Sequence, residues 1–205
     1  MAGRRTRVTP RKRPSQARSR ETVRAILEAA AHVFEERGPT AATTDAIAER
    51  AGVSIGSLYQ YFPSKDALLA TLSACHLLAA REAMAPAFAA LAAGAPAGEA
   101  IPALVRAMVT AHAQRPRLHR ILFTEAPVAS DHARALAAEH AECVDRIARW
   151  LAQGAATPDA DARLAARVGF DSLLALSHGF VLDRRVATVE RREAEMIRLL
   201  ERYWA

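Results

Sequence analysis

The chain has 205 residues, 51% apolar and only 5% aromatic, with a formal net charge of +6. That length suits one large domain or two small ones, and the alanine-rich apolar share favours helix over strand. No apolar run approaches the ~18 residues of a membrane span, no apolar core follows the basic N-terminus as in a secretory signal, and Cys75 and Cys143, far apart in helical patterns, read as buried thiols in a reducing cytosol.

Residues 1–18 form a basic arm. Arg4, Arg5, Arg7, Arg11, Lys12, Arg13, Arg18 and Arg20 place eight cations in the first twenty residues without one acid. The remainder is nearly balanced, at 20 basic against 22 acidic side chains. With Gly3, Pro10, Pro14 and Ser15 and almost nothing apolar, the arm is expected to be disordered in the free protein. It is either a phosphate or minor-groove contact driven by counterion release or a solvated tail.

A first helix is predicted from Ser19, as N-cap, to Arg37. Val23, Ile26, Ala30, Val33 and Phe34 make its inner stripe, and Gly38-Pro39 ends it. A second runs from Thr44, as cap, to Ala51. Ile47, Ala48 and Ala51 share one face, and Ala48 keeps the side chain small where two helices cross. Gly52 supplies positive φ at the helix end. Val53 packs inward, Ser54 caps a third helix ending near Tyr61, and Leu58 and Phe62 give that helix its inner side. Each residue answers a separate steric demand, and together they spell a helix-turn-helix, whose second helix enters the DNA major groove. Beside such a unit, the basic arm is better read as a DNA contact than as a solvated tail. Ser64 caps a fourth helix that starts at Lys65 and runs to about Ala83.

Beyond Pro86 the pattern changes to alanine-rich amphipathic helices over about 86–93, 98–114, 116–124, 129–153, 158–182 and 188–204. Breaks fall at Gly94–Gly98, Arg115-Pro116, Ala126-Pro127, Gly154–Pro158 and Asp183–Thr188. Thr157-Pro158-Asp159 and Thr188-Val189-Glu190 are helix starts. Ala166, Phe170, Leu173, Leu174, Ser177 and Val181 mark one side of the penultimate helix. Ile197, Leu199, Leu200, Tyr203 and Trp204 make the last one apolar. Two such helices from each of two copies would form a four-helix interface; ordinary intrachain packing is the alternative.

The run Thr43 to Leu69, with Leu58-Tyr59-Gln60-Tyr61-Phe62-Pro63-Ser64-Lys65-Asp66-Ala67-Leu68-Leu69 at its end, resembles the DNA-binding domain of the TetR family of bacterial transcriptional regulators. Arg20 to Ala30 and Val33-Phe34-Glu35-Glu36-Arg37-Gly38 resemble that family's first helix, so the resemblance covers about residues 18–80. It implies an all-α fold: an N-terminal three-helix helix-turn-helix DNA-binding domain over 19–82, then a helical-bundle ligand-binding and dimerisation domain over 83–205. It also implies a two-fold dimer that meets through its last helices. The implied function is a cytoplasmic, nucleoid-associated repressor. A small, largely apolar effector would release it from a palindromic operator in double-stranded DNA.

The third helix carries no Lys or Arg, unlike readers that use arginine on guanine. Base reading would rest on Ser57, Gln60 and Tyr59, with Ile55 against a thymine methyl and Gly56 letting the backbone approach. Phosphate contacts are expected from Thr44, Ser54, Tyr61 and Lys65. The resemblance points to Thr44, Ile55, Gly56, Ser57, Tyr59, Tyr61 and Lys65 as well. Asp45 stands where family members often place an arginine or another polar residue. It could accept from cytosine N4, or be a solvated acid favoured by the helix dipole. Tyr59 could also be core, and Phe62 is read as core.

For the effector pocket that the resemblance implies, the candidate lining residues are Phe88, Met108, His112, Phe123, Trp150, Phe170 and His178. Any of them could equally be plain core. No cofactor and no metal site is expected. The histidines form no H-E-x-x-H pattern, and His140 with Cys143 is a lone H-x-x-C. With no nucleophile elbow and no glycine-rich phosphate loop, an enzyme is not expected. The competing reading is a DNA-binding protein under no small-molecule control, such as a nucleoid or partner-controlled factor.

Overall fold

A computed structural model describes residues 17–113, 115–125, 130–154, 159–182 and 187–204. Every regular element among them is helical: α1 Ala17–Ala41, α2 Thr44–Ala51, α3 Ile55–Tyr61, α4 Lys65–Ala92, α5 Ala97–Ala113, α6 Pro116–Arg120 running into a π-helical turn Ile121–Glu125, α7 Ser130–Gly154, α8 Asp159–Leu182 and α9 Val189–Trp204. The all-α expectation therefore holds for the described residues. None of these helices is long and apolar enough to cross a membrane. The basic arm up to residue 16, and the expected cap at Thr157, lie outside them.

Two compact units divide the chain. One comprises the chain up to His76 with Arg117–Ala133, and the other Leu77–Pro116 with the chain from Arg134.

In the first unit, Ile26, Ala30, Val33 and Phe34 of α1 meet Ile47 and Ala48 of α2, Leu58 of α3, Phe62, and Leu68 and Leu69 of α4 in one buried core. Leu118, Ile121 and Leu122 complete it. Burying a side chain such as Leu58 or Phe62 stabilises by about 1.5–3 kcal/mol each, so the core sets how the short helices α2 and α3 sit. Helices of that length are marginal alone. The α1 helix proper ends at Gly38, whose φ of 74° and ψ of 166° are non-helical, and a single turn follows.

Three sequence-based boundaries shift. Ser19 is not the N-cap of α1: the helix already includes Ala17 and Arg18, good helix formers, and the Ser19 hydroxyl lies 2.7 Å from that of Tyr61. Thr44 is not the cap of α2. Thr43 is, with extended backbone and an Oγ1 that accepts from the Ala46 N–H at 3.2 Å. Pro86 does not break α4. It sits on an exposed side of the helix, while Met84, Ala87, Phe88 and Leu91 around it are buried in one core, and that burial outweighs the missing hydrogen bond.

The second unit packs Met84, Phe88 and Leu91 of α4 with Ile101, Leu104, Val105 and Met108 of α5. Val144, Ile147 and Trp150 of α7, Phe170 and Leu173 of α8, and Met196 and Leu200 of α9 close the core. The Trp150 Nε1–H donates to the Ala95 carbonyl at 2.9 Å, which satisfies its buried polar end. At the end of α9, the Trp204 indole lies across α8 where Gly169 leaves space, and its Nε1–H donates to the Ala165 carbonyl at 3.0 Å. A Cβ on Gly169 would come within 2.3 Å of the Trp204 ring.

The α8 stripe expected at a dimer interface is occupied within the chain. Ala166, Phe170, Leu173 and Ser177 are buried, with Leu174 packed against the same core. Val181 lies outside the described side chains. The apolar side chains that α8 and α9 leave exposed are instead Leu164, Val168, Val189, Leu199 and Tyr203.

Candidate nucleic-acid interface

Local chemistry fixes the turn between α2 and α3. Gly52 sits in the left-handed region at φ 66° and ψ 30°, where a side chain would be strained. Its N–H reaches the Glu49 carbonyl at 3.1 Å, and the Val53 N–H reaches that of Ala48 at 3.0 Å, so the last carbonyls of α2 are satisfied. Ser54 then caps α3, its Oγ accepting the Ser57 N–H at 3.1 Å. Ala48 is buried beneath the turn.

With Leu58 and Phe62 fully buried, the opposite side of α3 is turned outward. Ile55, Gly56, Tyr59 and Gln60 are exposed, as are Ser54 before the helix and Asp45 in the first turn of α2. Tyr59 is therefore a surface residue, with its hydroxyl 3.0 Å from that of Thr44. This link brings two expected DNA-contacting groups together across α2 and α3. Ser57 is half-buried, its hydroxyl 2.9 Å from that of Ser54. Gly56 has no internal reason to be glycine: an added Cβ would meet only Ser54 Oγ, at an ordinary 3.9 Å.

Two expected phosphate contacts have internal partners that sequence reasoning did not anticipate. The Tyr61 hydroxyl meets Ser19, tying the end of α3 to the start of α1. The Lys65 ammonium donates to the Thr40 and Ala42 carbonyls, each at 3.1 Å. It thereby closes the chain between α1 and α2, where carbonyls would otherwise lack partners. Arg50, at the far end of α2, pairs with Glu36 at 2.7 Å on the surface.

The candidate effector residues fall in both units. Phe88, Met108, Trp150 and Phe170 belong to the second unit's core, and the Arg146 guanidinium lies 5.1 Å from the Phe88 ring centroid. In the same unit His112 of α5 and His178 of α8 are in ring contact, centroids 4.9 Å apart. The His112 Nδ1–H donates to the Met108 carbonyl at 2.7 Å, and burial pushes its pKa below the ordinary histidine value. Phe123 is in the first unit, against His76 and His119. His76 and His119 themselves are linked, nitrogen to nitrogen, at 2.9 Å.

The two residues of the H-x-x-C pair have separate surroundings. His140 binds the Asp171 carboxylate on α8, and Cys143 is buried, its thiol pushed up to about 12 chiefly by desolvation and then by nearby Glu139. Such a thiol is inert.

A buried three-helix platform that turns the polar side of α3 outward defines a helix-turn-helix DNA-binding protein. Residues 26–72 match the family model for bacterial regulatory proteins of the tetR family, and residues 96–203 match the tetracyclin repressor-like C-terminal domain. The chain belongs to the TetR family of transcriptional regulators, which are DNA-binding proteins and not enzymes. Among curated proteins no sequence matches it significantly.

Solved structures share the fold. FadR from Bacillus subtilis, in complex with stearoyl-CoA, aligns at a TM-score of 0.69 and 18% identity over 87% of this chain and 97% of its own. AibR, in complex with isovaleryl coenzyme A and operator DNA, aligns at 0.67 and 19% over 87% and 97%. NalD from Pseudomonas aeruginosa, a secondary repressor of a multidrug efflux pump, aligns at 0.66 and 21% over 92% and 98%. At these identities the likeness is one of fold alone.

Proposed function

We propose that this regulator is a homodimeric repressor that binds a palindromic operator and is released by a small, largely apolar effector. The observation that carries the DNA half is the composition of the outward side of α3. It presents Ile55, Gly56, Tyr59 and Gln60, with a glycine that the fold does not require. Glycine inside a helix costs roughly 0.5–1 kcal/mol against alanine, and close approach of a DNA backbone is a reason to retain it. Ser57 and Gln60 can donate to or accept from base edges, and Ile55 can pack on a thymine methyl. Thr44 and Ser54 can donate to phosphate, as can Tyr61 and Lys65 after exchanging their internal partners. Asp45 would accept from cytosine N4 or remain solvated. The basic arm supplies the sequence-independent attraction that α3 lacks.

For dimerisation, Leu164 and Val168 on α8 are spaced i, i+4, as are Leu199 and Tyr203 on α9. These exposed apolar side chains suit burial against their two-fold copies. For the effector, the apolar second unit favours a ligand with a long apolar portion. The stearoyl-CoA bound in one protein of the same fold carries such an apolar chain. The effector must bind the DNA-incompetent state more tightly, since otherwise nothing is released. A protein of this kind acts in the cytoplasm, on the nucleoid.

The test is a gel shift on the DNA upstream of the chain's own gene, at physiological salt, with excess nonspecific competitor. A discrete complex that survives competitor and dissolves on adding a long-chain acyl-CoA is expected. Binding that competitor abolishes would favour a nonspecific architectural role. A complex that no effector dissolves would favour a partner-controlled factor.

A further inference from the structure

Among the described residues of the second unit, α5 and α8 bring polar groups together in the core. His112, buried on α5, donates its Nδ1–H to the Met108 carbonyl, which leaves the lone pair on Nε2. A ring nitrogen fixed by a backbone carbonyl is the arrangement that metal-ligating histidines adopt. The second imidazole is His178 on α8, half-buried, and one nitrogen from each ring lies within 4.8 Å of the other. Next to His178 in the chain is Ser177, only 2% exposed, whose hydroxyl has no hydrogen-bond partner among the described residues. Leaving such a buried hydroxyl unpaired costs about 1–3 kcal/mol. Two helices therefore bring together two imidazoles, and one of those helices adds an orphaned hydroxyl.

We propose that His112 and His178 form a two-histidine site for a divalent transition-metal ion, with the Ser177 hydroxyl as hydrogen-bond partner to a water on that ion. Metal–nitrogen bonds of about 2.0–2.1 Å require the two nitrogens to be roughly 3–4 Å apart, within the reach of small ring rotations. Imidazole ligands select copper, nickel and zinc over magnesium and calcium, with affinity rising from nickel to copper. The inference is independent of the operator and of the acyl effector, since metal loading is measured without DNA or acyl compounds.

The experiment is calorimetric titration of the full, tag-free, chelator-stripped chain with copper(II), nickel(II) and magnesium chlorides. One equivalent of copper or nickel is expected to bind, and no magnesium. His112→Gln and His178→Gln should each weaken binding at least about tenfold, and the double variant should abolish it. His32→Asn, on the surface of α1, should leave it unchanged. Should His112→Gln unfold the buried site, the more exposed His178→Gln and the nitrogen hyperfine pattern of bound copper(II) provide the reading. Absence of saturable copper binding by the wild-type chain would overturn the proposal. So would full-affinity binding by the double variant, or a copper spectrum without nitrogen ligands.

Discussion

Replacing Gly56 by alanine should move stability and DNA affinity in opposite directions. The added methyl meets only Ser54 Oγ at 3.9 Å, so no clash opposes the gain in helix propensity. The variant should be more stable by roughly 0.5–1 kcal/mol, a rise in Tm of about 1–4 °C for a chain of this size. On the outer side the methyl occupies the space through which the α3 backbone would approach DNA. A contact displaced in this way should weaken operator binding by about tenfold or more, or ~1.4 kcal/mol. Thermal unfolding by circular dichroism and fluorescence anisotropy on labelled operator, at one fixed salt concentration, measure both quantities on the same preparation. A higher Tm with unchanged affinity would refute close backbone approach. A lower Tm would refute the claim that the fold tolerates a side chain at this position.

Other perturbations separate the two units. Gly169→Ala should expel the Trp204 indole from α8, destabilise by about 1–3 kcal/mol and red-shift tryptophan emission; unchanged emission would show that the ring can stay. His112 should make stability fall as pH drops from about 6.5, because the unfolded chain takes up a proton there while the buried ring, with its lowered pKa, resists it. Denaturant melts across that range should be flatter in His112→Gln, and an identical pH profile would rule out this source. Deleting residues 1–18 should reduce the slope of log K against log salt on any duplex, since those residues hold seven cations. An unchanged slope would mean that the arm does not touch DNA.

The helix-turn-helix was legible because its determinants are local. Gly52, Ser54, Leu58 and Phe62 each meet a requirement set by residues a few positions away, and the structure places each as expected. The errors arise where the deciding interaction is distant or two neighbours compete. Thr43 and Thr44 are equally good caps on paper, and only backbone geometry separates them. The charge on Lys65 is visible in the sequence, but its partners at Thr40 and Ala42 belong to a corner formed by folding. Periodicity on α8 shows that Phe170, Leu173 and Ser177 must be covered, not whether the cover is α5 and α9 or a second copy. His112 and His178 were each conspicuous as polar groups on apolar helices. Their contact depends on how α5 and α8 pack, which no spacing in the sequence encodes.

The Lys65 corner has a consequence for how the charge of this protein can be altered. The chain contains only two lysines, Lys12 and Lys65, among its 28 basic residues. Arginine stays protonated at every physiological pH and cannot be neutralised by acetyl transfer to an ε-amine. Lysine acylation can therefore reach the positive charge at two positions only. At one of them the ammonium already holds two backbone carbonyls together, so its loss would loosen the entry to α2 as well as remove a charge. Lysine acylation therefore has little purchase on the attraction of this regulator for DNA.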